Sequence, residues 1–250
     1  MAVFPAATDD AWRPPAGRLE IPDGVDVWRI ALTSRDADAE RHWEPLSSDE
    51  RQRAGRFWFE RDRCRFVSAR AAMRAILGRY LDVPAVSVQF GYGPSGKPHL
   101  EAPAHGRHLS FNLSHSHELA LLAVCRERPL GVDIEWMSRP TDIKELAARM
   151  FAAGERDALE RLADAGQVEG FFNCWTRKEA YVKATGDGLT TPLHRFEMEL
   201  RPGIPPALRW HETPGESVKW RVRALHPGRG YAAALVTQGS DEPCHGWDWV

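Results

Sequence analysis

The 250-residue chain is 43% hydrophobic and 27% charged, with a formal net charge of -2. That is the composition of a globular protein with a substantial core, made of one large domain or two small ones. Bulk basic character that would argue for nucleic acid is absent, so any anion site has to be built from locally clustered Arg and Lys.

The first 23 residues carry Pro5, Pro14, Pro15 and Pro22 and read as a flexible or surface arm. Val25 to Leu32 (VDVWRIAL) alternates and is rich in β-formers, which predicts a strand. Ser47 or Ser48 can cap a helix carrying Arg51, Arg53 and Arg56. A second helix is predicted from about Arg61 to Leu81, because Phe66, Ala69, Met73, Ile76, Leu77 and Tyr80 recur at helical spacing. Gly91 to Pro98 (GYGPSGKP) is loop by its Gly and Pro content. Leu109 to Leu113 and Leu119 to Cys125 read as short strands around a polar turn, Ser114 to His117, and Leu130 to Trp136 as another strand. Helices follow near Ile143 to Met150, Glu155 to Ala163 and Glu169 to Thr185, then strands near Phe196 to Leu200, Val218 to Leu225 and Tyr231 to Thr237. Each half is thus a helical section followed by an antiparallel hairpin. The expected class is α+β, in two pseudo-symmetric halves over 24–128 and 129–250, with a ligand cleft between them.

The cysteines Cys64, Cys125, Cys174 and Cys244 are scattered with no CxxC pair, so neither a zinc site nor a disulfide framework is indicated. The start is acidic and Pro-rich rather than basic then apolar, and no apolar run approaches the ~18 residues of a membrane span. The expectation is a cytoplasmic protein with reduced thiols.

Three strings carry chemistry. In Gly131-Val132-Asp133-Ile134-Glu135, strand alternation sends Asp133 and Glu135 one way and Val132 and Ile134 into the core. Two neighbouring carboxylates repel, and a hard divalent cation such as Mg²⁺ resolves the conflict; a solvated acidic edge strand would read the same. In Trp175 to Leu189 (WTRKEAYVKATGDGL), Trp175, Glu179 and Lys183 lie at i, i+4 and i+8 on one helix face. Gly186 and Gly188 then stop the helix, and an ordinary surface Glu-Lys pair would account for the charges alone. In SGKPHL (Ser95 to Leu100) and FNLSHS (Phe111 to Ser116), a Gly-flanked lysine, hydroxyls and an imidazole suit phosphate oxygens. Ser-His nucleophilic catalysis does not fit, because there is no GxSxG elbow.

Together SGKPHL, FNLSHS, GVDIE and FFNCWTRKEAYVKATGDGL, with a weaker ERQRAGRFWFERDRCRFVSARAAMR before them, resemble the surfactin-type (Sfp-like) 4'-phosphopantetheinyl transferases over roughly Ser47 to Leu193. The resemblance implies transfer of the phosphopantetheine arm of coenzyme A to a serine of an apo acyl or peptidyl carrier protein, with Mg²⁺ required and 3',5'-ADP released. It implies Asp133, Glu135 and Glu179 as magnesium ligands and Glu179 as general base. Lys178 and Lys183 are expected near the diphosphate, and Lys97, Ser114 and His115 on the nucleotide and its phosphates. Arg53 and Arg65 match basic positions near the 3'-phosphate. Glu50 stands where the family has a basic residue, and His117 where glycine occurs in the best-known member. Arg149, Met150 and Phe151 are expected to dock the carrier, with the enzyme acting as a monomer and without nucleic acid or membrane. Two other classes use similar residues: a different Mg²⁺-dependent phosphotransfer enzyme, and a non-catalytic coenzyme A- or carrier-binding homologue.

Overall fold

The computed structural model describes residues 12–14, 19–32, 39–101, 109–138, 142–188 and 191–249. In chain order, a two-residue strand β1 (Trp12–Arg13) precedes β2 (Val25–Ala31), the short helices α1 (Ala39–Trp43) and α2 (Ser48–Ala54), and the long helix α3 (Glu60–Leu81). A small ribbon of β3 (Phe90–Tyr92) and β4 (Pro98–Leu100) leads to the hairpin β5 (Leu109–Ser116) and β6 (Leu119–Arg126). The second half runs β7 (Leu130–Trp136), α4 (Ile143–Met150), α5 (Ala153–Glu160) and α6 (Asp164–Thr185). It continues through the ribbon β8 (Phe196–Met198) and β9 (Leu208–His211) to the hairpin β10 (Trp220–Leu225) and β11 (Tyr231–Gln238), and a last strand β12 (Cys244–Trp249).

The two halves share one topology. A strand is followed by a 22-residue helix and an antiparallel hairpin whose second strand pairs with the opening strand. This gives the orders β2-β6-β5 and β7-β11-β10. The repeat is topological rather than residue by residue. In this respect the sequence expectation of two α+β halves matches the structure. The sheets differ in one way from that expectation. The second is purely antiparallel, but the first is mixed, because β12 inserts between β1 and β2 and runs parallel to both. The tail therefore crosses the boundary expected near residue 128. Within the arm expected over 1–23, Trp12 and Leu19 are buried and β1 is paired; residues 1–11 and 15–18 lie outside the described residues.

Alternation along the strands sets the layers. One face of β2 and β6 turns Trp28, Ile30, Leu122 and Val124 onto the α3 stripe of Ala69, Met73, Ile76, Leu77 and Tyr80. The opposite face turns Val25, Val27, Leu121 and Ala123 onto Val132, Ile134, Ala233 and Leu235 of the second sheet. That sheet's outer face, through Ala234 and Val236, packs on α6. The order is helix, sheet, sheet, helix. Trp247 and Trp249 of β12 pack around Trp28 at centroid distances of 6.1 and 6.2 Å, so they belong to the first half's core.

Candidate active site

Gly131 explains how the carboxylates of β7 come to face α6. A Cβ there would sit 2.1 Å from the Ala180 carbonyl oxygen and 2.5 Å from the Ala184 amide, so only glycine lets helix and strand approach this closely. The face of β7 carrying Asp133 and Glu135 is thereby set against the turns of α6 carrying Glu179 and Lys183. Helix α6 ends after Thr185 with Gly186 in the left-handed conformation (φ 82°).

Strand β7 is the edge of its sheet, and β5 is the edge of the other. Side chains of β5 satisfy the β7 edge. Asn112 Oδ1 accepts from the Val132 amide at 2.9 Å, and Ser116 Oγ accepts from the Trp136 amide at 3.0 Å. Between them Ser114 Oγ donates to Asp133 Oδ1 at 2.8 Å. Ser116 Oγ also donates to Glu135 Oε2 at 2.8 Å, and Trp175 donates to the same carboxylate. The expected turn at Ser114 to His117 is instead strand as far as Ser116, and the reversal begins at His117 with φ 53°. That is why Asn112, Ser114 and Ser116 line one face.

Lys183 is the cation of this cluster. Its ammonium lies 2.6 Å from Asp133 Oδ1 and 2.9 Å from Ser114 Oγ. Asp133 is 3% exposed, and its second oxygen, Oδ2, is buried with no partner. Burial pushes the Asp133 carboxyl up, against the pull of Lys183 and Ser114. Glu135 is raised by burial and then by the charge of Asp133. Glu179 is raised by burial, Asp133 and Glu135, with Lys183 opposing. Three carboxyls thus share one pocket of field with one lysine. Among the described residues, no three His, Cys, Asp or Glu side chains stand together as a ready-made metal cage. The donor chemistry nonetheless fits a hard cation: oxygen ligands only, an excess of negative charge, and one buried carboxylate oxygen left unpaired.

A basic stretch adjoins the carboxylates. Desolvation, then the cations of Lys183, Arg65 and Arg53, hold the His115 imidazole below the ordinary histidine value, against a smaller pull from Asp133. Arg53 also lines a cavity of about 560 Å³ with Asp49, Gln52, Arg56, Phe57 and Tyr92. Arg53, Arg65 and Lys183 thus lie within electrostatic reach of His115, and a local cluster of cations of this kind suits a polyanion.

Family models agree with this reading in both halves. Residues 129–236 match the 4'-phosphopantetheinyl transferase superfamily, and residues 33–127 match the 4'-phosphopantetheinyl transferase N-terminal family. The chain is 38% identical over 229 residues to the 4'-phosphopantetheinyl transferase HetI of Nostoc sp., covering 91% of this chain and 94% of that protein. The chain belongs to the 4'-phosphopantetheinyl transferase family. It is also 27% identical over 206 residues to the 4'-phosphopantetheinyl transferase Sfp of Bacillus subtilis, covering 82% of this chain and 87% of that one.

Within the family pattern, the structure brings Asp133, Glu135, Glu179, Lys183, Ser114, His115, Arg53 and Arg65 to one region, but two lysines stand elsewhere. Lys178 is wholly buried in the second half. It is paired with Glu155 at 2.8 Å, donates to the Leu193 and Phe196 carbonyls, and lies over the Phe196 ring. The expectation that it reaches the diphosphate is corrected: it sits one residue off the Glu179 face and that offset turns it into the core. Lys97 donates to the Leu130 carbonyl at 3.1 Å and to that of Lys183, joining the β4 ribbon to β7 and to the last turn of α6. Burial holds its ammonium below the usual lysine value. In this structure it braces the two halves rather than reaching out.

Glu50, the departure from the family's basic position, has a structural cause. It is 1% exposed and receives Arg70 at 2.7 Å and Arg74 at 2.6 Å. Its carboxylate also accepts from the Ser47 amide and so caps α2. Of the expected docking residues, Phe151 is buried and stacked on Phe171, Met150 is half-buried, and Arg149 is exposed. Phe151 is a core residue because its backbone, leaving α4, turns inward onto α6. The exposed apolar side chain of α4 is Leu146. The role of Asn112 went unrecognised in the sequence, and Ser116 and Trp175, singled out there for other reasons, were not linked to Glu135. The alternation of FNLSHS was the available signal for the first two.

Proposed function

We propose that the chain transfers the 4'-phosphopantetheine arm of coenzyme A to a serine of an apo acyl or peptidyl carrier protein, with Asp133, Glu135 and Glu179 as the Mg²⁺ ligands. The observation that carries the reading is the convergence of these carboxyls on one another beside Lys183, with Asp133 Oδ2 buried and unpaired. When bound, Mg²⁺ would neutralise charge developing on the diphosphate oxygens. Glu179 accepts the proton of the carrier serine, directly or through one water. The serine oxygen then bonds to the β-phosphorus of coenzyme A, and the bond from that phosphorus to the bridging oxygen breaks. 3',5'-ADP leaves with the bonding pair. In the metal-free chain burial, Asp133 and Glu135 raise the Glu179 carboxyl, the charge crowding that a bound cation would relieve. Lys183 offsets phosphate charge. Arg53, Arg65 and His115 hold the nucleotide end, and Ser114 orients Asp133 and Lys183 together. Chemistry of this kind is mostly positioning and electrostatics.

Arg149, with Leu146 beside it on α4, forms the exposed part of the carrier-docking surface. One chain supplies both halves, which supports a monomer. No described helix is long and apolar enough to cross a membrane, and all four cysteines are free, which supports a reducing cytoplasm. Incubation with coenzyme A, Mg²⁺ and a panel of apo carriers, followed by intact-mass measurement of each carrier, tests the reading. A gain of ~340 Da on the serine, the mass of the arm, is expected. An unchanged mass across the panel would refute transfer and favour a non-catalytic homologue.

A further inference from the structure

Ser116 is the residue that joins the two edge strands at the carboxylate cluster. Its hydroxyl oxygen accepts from the Trp136 amide, so its single proton is directed at Glu135 Oε2. The anchor is rigid on both sides. Trp136 ends β7, and its ring is held between His117, stacked at a centroid distance of 5.1 Å, and Tyr231, at 4.8 Å edge-on. Tyr231 in turn receives the Glu118 amide on its hydroxyl, which ties the β5–β6 reversal to the start of β11. The oxygen of Ser116 is therefore fixed by three elements while its proton points at a carboxylate that faces the proposed cation. Glu135 is the penultimate residue of β7, its backbone paired with Ala232 of β11. Without the hydroxyl, its carboxylate keeps only the Trp175 bond.

We propose that Ser116 is a positioning residue for the divalent cation, fixing the Glu135 carboxylate in the orientation the cation requires. The proposal rests on the metal-ligand reading above. Outer-shell partners of metal-binding carboxylates typically change metal affinity by about 10- to 100-fold when lost.

The test is a Mn²⁺ titration of the full chain with coenzyme A present, followed by electron paramagnetic resonance of free Mn²⁺. It is paired with steady-state kinetics over a range of Mg²⁺. Ser116→Ala is expected to weaken Mn²⁺ binding about tenfold or more. The Mg²⁺ concentration that gives half-maximal rate should rise by a similar factor. Ser116→Thr keeps the hydroxyl and should restore parental affinity. Ser116→Cys preserves size with a poor donor, and should share the alanine defect while keeping the hairpin packed. Thermal unfolding of all three separates this from a general loss of structure. Equal Mn²⁺ affinity in the parent, Ser116→Ala and Ser116→Cys would overturn the role of Ser116 alone. Failure of the parent itself to bind Mn²⁺ with coenzyme A would overturn the metal reading with it.

Discussion

Lys178→Met provides the sharpest contrast between a substrate-binding lysine and a structural one. In the structure its ammonium is sealed between Glu155 and the carbonyls of Leu193 and Phe196, with nothing of it exposed. Methionine fills much the same volume but leaves Glu155 as an uncompensated charge and two carbonyls short of a donor. Breaking a buried pair from one side costs about 3–5 kcal/mol. At about 2–4 °C per kcal/mol for a chain of this size, Tm should fall by about 6–20 °C. The loss also has a sign in pH. Burial already raises the Glu155 carboxyl, with Lys178 opposing. Without the lysine it rises further, so the variant is best tolerated at low pH, where Glu155 is protonated in both states. Its deficit grows as pH rises through the unfolded and then the folded value. Lys178→Met with Glu155→Gln should recover more than half of the lost stability. Differential scanning calorimetry between pH 5 and 8 measures all of this. An unchanged Tm combined with a several-fold higher KM for coenzyme A would show that Lys178 reaches the substrate and that the buried pair is wrong.

Glu179→Gln and Asp133→Ala should each lower kcat/KM for carrier modification by ~10²-fold or more, as removal of a charge-stabilising group does; near-parental turnover in a discontinuous mass assay would contradict their placement. In the metal-free chain the Glu179 carboxyl should titrate above an ordinary glutamate, read by NMR, because burial and the charges of Asp133 and Glu135 raise it. Added Mg²⁺ should bring that titration down, since a cation on the carboxylate favours its ionised form; a titration that Mg²⁺ leaves unmoved would count against Glu179 as a ligand. Gly131→Ala should cost about 1–3 kcal/mol, read by chemical denaturation, because its methyl would meet the α6 backbone rather than a movable side chain. It should also reduce turnover, since β7 and α6 carry the carboxylates.

Much of this could be read from the residues. The α3 stripe, the GVDIE strand and the α6 face bearing Glu179 and Lys183 follow from periods of 3.6 and 2; the structure packs the stripe on the first sheet and sets the strand against that α6 face. What periodicity could not give was direction at the margins. Lys178 and Glu179 are adjacent, and only the packing of α6 decides that one enters the core and the other the cleft. Glu50 stood out only as a departure from the family's basic position, and its pairing with Arg70 and Arg74 of α3 is what the structure adds. The short polar run after Leu113 resembled a turn in composition. Its pairing with Leu119 to Leu122 keeps it extended, and the facing edge of β7 gives its hydroxyls partners that no local pattern encodes. The same limit applies to the tail, whose tryptophans find their partner in Trp28 more than two hundred residues earlier.

That last pairing constrains how the protein is born. Arg29 and Asp248 form a bidentate bond across 219 positions, with Arg29 Nε at 2.7 Å and Nη2 at 3.0 Å. During synthesis β2 emerges long before β12, which slides in between β1 and β2 only once its partners 219 positions earlier have been made. Contacts of such long range slow folding. Until β12 has been made, the face around Trp28 stays open to chaperones and to aggregation, and a ribosome stalled before that strand would release a product whose first half is unfinished.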